Sequence, residues 1–152
     1  MNIPLCVANT FLHKAKSENI DITPMKLQKL IYIFYKEYLK GTKLKLFSEQ
    51  FSVWKYGPVL PEVYNAFKRY GSNVITDYYS EDDDKYYTID LKSSPTLEST
   101  FIDVWNRYKN YNGVYLSKLT HLPGTAWYKA REKRLPYLLD SDISEEVSYS
   151  EL

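Results

Sequence analysis

The side chains that most often perform chemistry in proteins are sparse in this sequence. It contains two histidines, His13 and His121, and no pair of acidic residues has a spacing that suggests acid–base catalysis. Glycine-rich phosphate loops and G-x-S-x-G nucleophile elbows are absent as well. His121, which lies shortly before Trp127, has the most suggestive local context, but a histidine that holds a loop by hydrogen bonding explains it equally. We therefore predict no catalytic residue and no enzymatic activity.

The sequence also offers no convincing metal or cofactor site. Cys6 is the single cysteine, so the chain has neither an internal disulfide nor a thiolate cluster for zinc. We expect it to be buried and unreactive in the first helix. The acidic run 81–84 lacks the alternating ligands, the central glycine and the closing glutamate of an EF-hand loop. We predict no metal and no cofactor.

Length and charge limit the class of protein further. A chain of 152 residues suits one domain with a real core, and no apolar run is long enough to span a bilayer. The lone cysteine and the lack of a signal-peptide pattern lead us to expect a cytoplasmic protein. A net charge of +1 argues against a general nucleic-acid binder.

The charge is nevertheless arranged in blocks along the chain. Residues 1–70 carry a net +6, residues 71–106 carry −6, residues 107–139 carry +6 and residues 140–152 carry −5. Such blocks suit either solvated faces and a tail, or a partner with complementary patches. The sixteen tyrosines leave a similar choice, because tyrosine serves both adhesive surfaces and the edges of cores.

The segment from Thr23 to Gly41 is predicted to be the central helix. Thr23 suits the N-cap and Pro24 the first helical position, while Gly41 provides a stop. One helical face collects apolar residues, and the lysines fall mostly outside it. The apolar positions are Leu27, Leu30, Ile31, Phe34 and Tyr38. A helix this apolar must be surrounded by the rest of the domain.

The other segments predict a mainly α fold, a compact single-domain helical bundle with a small β-hairpin or short-strand excursion. Further helices are expected over 2–18, 61–70 and from Ser94, with shorter pieces starting at Ser117 and Thr125. A short strand is expected near 50–56, followed by a rigid connector over 56–61. Two weak strands are expected near 74–79 and 86–91. We assign 1–139 to the helical domain and 140–152 to an acidic C-terminal tail or short helix.

Three segments together resemble the Panacea antitoxin domain, a family of phage-associated proteins. They are TPMKLQKLIY from Thr23, FSVWKYGPVLPEVY from Phe51, and the stretch from Leu116 to Ala130 with Thr120–His121 and Trp127. Their order and spacing agree with the family, and the resemblance covers nearly the whole chain. It is weakest over 72–95.

The resemblance implies an antitoxin that neutralises a cognate protein toxin by direct binding, as in type II-like toxin–antitoxin or phage-defence systems. The alternative is a proteolytic adaptor, or a phage-encoded scaffold, that delivers a client to a AAA+ protease. Many relatives carry an added DNA-binding domain, for which this chain has no room. We expect no nucleic-acid or membrane partner. The oligomeric state stays open between a homodimer and a toxin–antitoxin hetero-oligomer.

The motif positions supply the candidate site residues. The predicted partner-binding residues are Lys26, Lys29, Tyr56, Gly57, Pro58, Val59, Tyr64 and His121. The predicted structural residues of the motifs are Leu27, Leu30, Trp54 and Trp127. The connector over 56–61 could equally be a turn that only starts the next helix.

Overall fold

A computed structural model of the chain describes residues 2–82, 85–147 and 149. Its centre is helix α2, Pro24–Thr42, which begins as predicted: the Thr23 hydroxyl caps the Lys26 amide at 3.4 Å, and Pro24 takes the first position. The helix contacts five of the other helices and one strand of the small sheet. It is therefore surrounded on nearly all sides, as its apolar sequence requires.

Six further helices surround α2 in the described part of the chain, and the mainly α fold is confirmed. They are α1 (Ile3–Glu18), α3 (Pro61–Phe67), α4 (Pro95–Tyr108), α5 (Gly113–Thr120), α6 (Ala126–Glu132) and α7 (Asp140–Glu145). Short 3-10 turns cover Lys68–Tyr70 and Leu91–Ser93. None of the described helices is both long enough and apolar enough to cross a membrane. Helix α5 starts four residues before the predicted Ser117, because Asn112 caps it by accepting from the Tyr115 amide at 2.8 Å.

The small sheet is a hairpin of β1 (Ser52–Trp54) and β2 (Gly57–Val59). The strands are antiparallel, with Val53 opposite Pro58 and Trp54 opposite Gly57. The predicted strand near 50–56 is thus present, whereas the predicted connector over 56–61 supplies its partner strand. A proline fits this short two-stranded sheet because its missing N–H leaves no central ladder bond unmade.

The second predicted pair of strands, near 74–79 and 86–91, is wrong for the described residues. This stretch holds only an isolated bridge between Asp82 and Lys85. Its backbone instead bonds to helix α1: the Asn9 side chain contacts the main chain of Tyr79 and Tyr87, at 2.9–3.1 Å. Asp83 and Asp84 of the predicted acidic turn lie outside the described residues.

The C-terminal segment lies against the core through α7, Glu146 and Tyr149. Ile143 and Glu146 are each only 1% exposed, and Tyr149 is also buried. The Glu146 carboxylate accepts from the Tyr32 hydroxyl at 2.8 Å and from the Ala126 amide at 2.7 Å. It also accepts from the Tyr149 hydroxyl and lies 3.8 Å from the Lys36 ammonium. The domain boundary at 139 stays a prediction.

Candidate partner-binding site

The central helix holds the hairpin through two adjacent polar side chains. The Gln28 amide makes a two-point contact with the backbone of Leu60: its Nε2 donates to the carbonyl at 3.0 Å, and its Oε1 accepts from the amide at 2.9 Å. The Lys29 ammonium donates to the Pro58 carbonyl at 2.8 Å. Both side chains are buried, so these bonds satisfy backbone groups that have lost contact with water.

Lys29 is unusual because its charge is buried without a described carboxylate beside it. It is 1% exposed, and burial lowers the pKa of its ammonium to about 7. Desolvation disfavours the charged form of a lysine, which explains the direction of this shift. Lys29 therefore lies beneath the predicted surface rather than on it.

Gly57 lets the hairpin turn approach the helices closely. Its φ is +113°, and a Cβ at this position would lie 2.9 Å from the Thr120 hydroxyl and 3.2 Å from Cε of Lys29. Any other residue would need both an unfavourable backbone conformation and space that is already filled.

Helices α5 and α6 hold the other side of the turn. The Ser117 hydroxyl donates to the Tyr56 carbonyl, and the Trp127 indole donates to the Trp54 carbonyl at 2.7 Å. The turn is thus attached to three helices, α2, α5 and α6, each of which is distant from it in sequence. Rigid scaffolds of this kind are suited to presenting binding residues from a loop.

Beside the hairpin lies an apolar groove of about 420 Å³, between α2, α3 and the turn. Its buried lining includes Leu27, Val63 and Phe67, and Trp54 and Tyr64 meet above it edge to face, with ring centroids 4.9 Å apart. We call it the hairpin groove. Its full lining is Pro24, Met25, Leu27, Gln28, Lys29, Trp54, Lys55, Tyr56, Val59, Val63, Tyr64, Phe67 and Gly71.

Three aromatic side chains of the hairpin groove are open to solvent. Tyr56 is 55% exposed, Tyr64 43% and Trp54 37%. Large aromatic side chains next to a concave apolar surface are typical of interaction sites, where they become the energetic anchors.

The hairpin groove is lined by two basic residues and by no acidic residue. Lys29 lies below it, and Lys55 is exposed on the turn, with its ammonium 5.4 Å from the centre of the Tyr56 ring. Glu62 lies on α3 but outside the lining, and its pKa is raised by burial and by the nearby charge of Glu49. The groove thus combines apolar walls with one exposed basic residue, Lys55.

The remaining predicted residues have other positions. Lys26 is 6% exposed, and its ammonium donates to the Lys109 carbonyl at the end of α4. His121 is half-buried at the end of α5, with its ring 5.3 Å from that of Trp127, and it is not part of the groove lining. Leu30 is fully buried. The structure therefore joins Lys29, Tyr56, Val59 and Tyr64 around one groove and leaves Lys26 and His121 outside it.

Sequence reasoning missed several residues of this site. Gln28, Ser117 and Thr120 contact the hairpin only through long-range packing, which local patterns do not report. The sequence contains one indication of the role of Gln28: it is a polar residue among the apolar positions of the central helix. No group of three or more His, Cys, Asp or Glu side chains that could hold a metal occurs in the described ranges.

Comparison with known proteins agrees with the predicted resemblance. The family model "Antitoxin SocA-like, Panacea domain" matches residues 27–128. Antitoxin SocA of Caulobacter vibrioides (strain NA1000 / CB15N) is 39% identical over 69 residues, or 45% of this chain and 37% of that protein. The match thus spans little more than a third of that relative. No solved structure matches the chain. Since the family model covers most of the sequence, including α2, the hairpin and the start of α6, the chain belongs to the SocA-like antitoxin family that carries the Panacea domain.

Proposed function

We propose that this chain is an antitoxin that neutralises a cognate protein toxin by binding it directly through the hairpin groove. The observation that carries the proposal is the groove itself: exposed aromatic residues stand over a buried apolar floor. Family membership supports the antitoxin role. The sparse reactive side chains of the sequence agree with a protein that acts by binding rather than by catalysis.

Buried hydrogen bonds hold the hairpin beside the groove in place before a partner binds. Gln28, Lys29, Ser117 and Trp127 each bond to the backbone of the hairpin. A surface that is already ordered loses little conformational entropy when a partner binds. The exposed rings of Tyr56 and Tyr64 then supply apolar area with two side-chain torsions each, and their hydroxyls remain available to the partner.

The direct test is co-expression with the proposed cognate toxin, sought in the open reading frames next to this gene. We expect wild-type chain to restore growth and to co-purify with the toxin. Tyr56→Ala and Tyr64→Ala should each weaken the complex by about 30-fold, corresponding to roughly 2 kcal/mol for an anchor residue. Tyr87→Ala is the matched control, since Tyr87 is 50% exposed and lies outside the groove. Continued growth arrest with wild-type chain and no complex would contradict the proposal.

Cells that co-express the chain and the toxin also distinguish two mechanisms: occlusion of the toxin by binding, and delivery of the toxin to a AAA+ protease. Under occlusion the toxin stays abundant while growth resumes, and removal of the host proteases changes nothing. Under delivery the toxin disappears, and growth arrest returns when the protease is removed. Truncation at 140 is unsuitable for this comparison, because Ile143 and Glu146 are part of the core.

A further inference from the structure

The hairpin groove has a positive charge at its rim, beside apolar walls. Of its lining residues, Lys29 and Lys55 are basic and none is acidic. Lys29 lies under the strand that forms one wall and already donates to the Pro58 carbonyl, so the exposed Lys55 carries the charge that a partner meets. An apolar partner with basic flanks would thus meet a charge of its own sign.

The N-terminus of helix α2 adds to this field. Pro24 and Met25, the first two residues of the helix, line the groove, and the first turn contains no acidic side chain. The N-terminus of a helix carries a partial positive charge that favours nearby anions. Here it acts beside a concave apolar surface, which weakens the screening by water and focuses the field.

The next step rests on the proposed toxin-binding role and concerns the chemistry of the segment that occupies the groove. We propose that the toxin inserts a short apolar segment flanked by carboxylates into the hairpin groove. Its apolar side chains would contact the floor at Leu27, Val63 and Phe67. Its carboxylates would face Lys55 and the first turn of α2.

Charge complementarity selects this occupant over two others. A segment with basic flanks would bring like charges together near Lys55, and a wholly apolar segment would gain nothing from that ammonium. Charge complementarity does not exclude a third occupant, a second copy of this chain. Its residues 71–106 carry a net −6 and include the exposed Tyr86 and Tyr87. The test therefore includes the oligomeric state.

Three synthetic peptides provide the probe. Each has the same leucine and phenylalanine positions, and the flanking positions are glutamate in one, glutamine in the second and lysine in the third. Binding to the full chain is measured by calorimetry and by the shift of the Trp54 indole resonance, at low and high salt. We expect the glutamate peptide to bind about three-fold tighter than the glutamine peptide, as an exposed ion pair allows, and the lysine peptide to bind weakest.

Two charge reversals locate the effect. Lys55→Glu should remove the preference for the glutamate peptide, whereas Lys16→Glu should preserve it. Lys16 is exposed on α1, lies outside the groove lining, and its reversal changes the net charge equally. Equal binding of the three peptides, no binding of any, or a preference that survives Lys55→Glu would each overturn the proposal. So would a dimer, seen by light scattering, that the glutamate peptide does not dissociate.

The peptide experiment and the toxin co-expression experiment can fail independently of each other. If Tyr56→Ala and Tyr64→Ala release the toxin but the peptides bind alike, the groove binds the toxin and the acidic occupant is wrong. If the toxin stays bound to both tyrosine variants, the groove is not the binding site, and both proposals fail.

Discussion

At the scale of a single residue, Lys29 is the most informative side chain of the fold. Its ammonium is buried, donates to the Pro58 carbonyl and has a pKa lowered to about 7 by desolvation. In the unfolded chain its pKa returns to about 10.4. Between these two values the unfolded state binds the proton more strongly than the folded state, so this group makes the protein more stable as the pH rises.

This linkage gives the first prediction. From pH 7 to pH 9, Lys29 should add up to about 1.4 kcal/mol per pH unit to the free energy of unfolding of the wild-type chain. Lys29→Met should lose this increase, although it also loses the bond to Pro58. Urea unfolding at several pH values measures both profiles. Lys16→Met, at an exposed site, is the control and should follow the wild type; parallel profiles for Lys29→Met would contradict the prediction.

At the scale of an element, the β1–β2 hairpin depends on the close approach of its turn to the helices. Gly57→Ala places a Cβ 2.9 Å from the Thr120 hydroxyl at a φ of +113°. We expect a loss of roughly 2–3 kcal/mol in the free energy of unfolding, because backbone strain and overpacking act together. Thermal unfolding and loss of toxin binding should report the change together, since the turn carries Tyr56.

A second glycine provides the matched comparison for this change. Gly41 lies in the last turn of α2 and is not the predicted stop, because the helix ends at Thr42 with Lys43 in the left-handed conformation. A Cβ at Gly41 would meet nothing within 4 Å. Gly41→Ala should therefore stabilise the chain by about 0.5–1 kcal/mol, as expected for a glycine within a helix. If both substitutions had the same effect, the tight packing of the Gly57 turn would not be the reason for its glycine.

At the scale of the whole molecule, Glu146 connects distant parts of the chain. Its carboxylate contacts Tyr32 and Lys36 of α2, the Ala126 amide at the start of α6, and Tyr149. Burial and this neighbouring carboxylate raise the pKa of both tyrosine hydroxyls well above the ordinary value. The C-terminal segment thereby closes the side of the bundle that α2 would otherwise leave open.

Neutralising this carboxylate should weaken the entire fold. Glu146→Gln removes one of the two carboxylates beside the buried Lys36 ammonium and leaves Glu37 at 3.4 Å. We therefore expect a loss of about 2 kcal/mol in the free energy of unfolding, less than for a buried charge with no partner. Glu145→Gln should change it by less than about 0.5 kcal/mol, because Glu145 is 71% exposed. Chemical denaturation compares the two. An equally small effect of both changes would show that the Glu146 contacts do not stabilise the bundle.

The sequence by itself determined the main helices. Helix α2 begins where Thr23 and Pro24 predict, and α4 begins after the Ser94 cap, because capping involves residues that are close together in the chain. The sequence also identified the family, because the family motifs depend only on residue type and spacing. The apolar pattern likewise predicted that α2 lies in the core.

Only the tertiary structure decided what the motif residues do. Helical periodicity placed Lys29 outside the apolar face, yet neighbours on all sides of α2 bury it, and its flexible stem reaches the hairpin. The strands expected near 74–79 and 86–91 are absent, and side chains of α1 bond to the backbone of this segment instead. The groove needs α2, α3 and the turn together, so no single stretch of sequence contains it. Local patterns follow from neighbouring residues, whereas the site follows from contacts between residues that are distant in the chain.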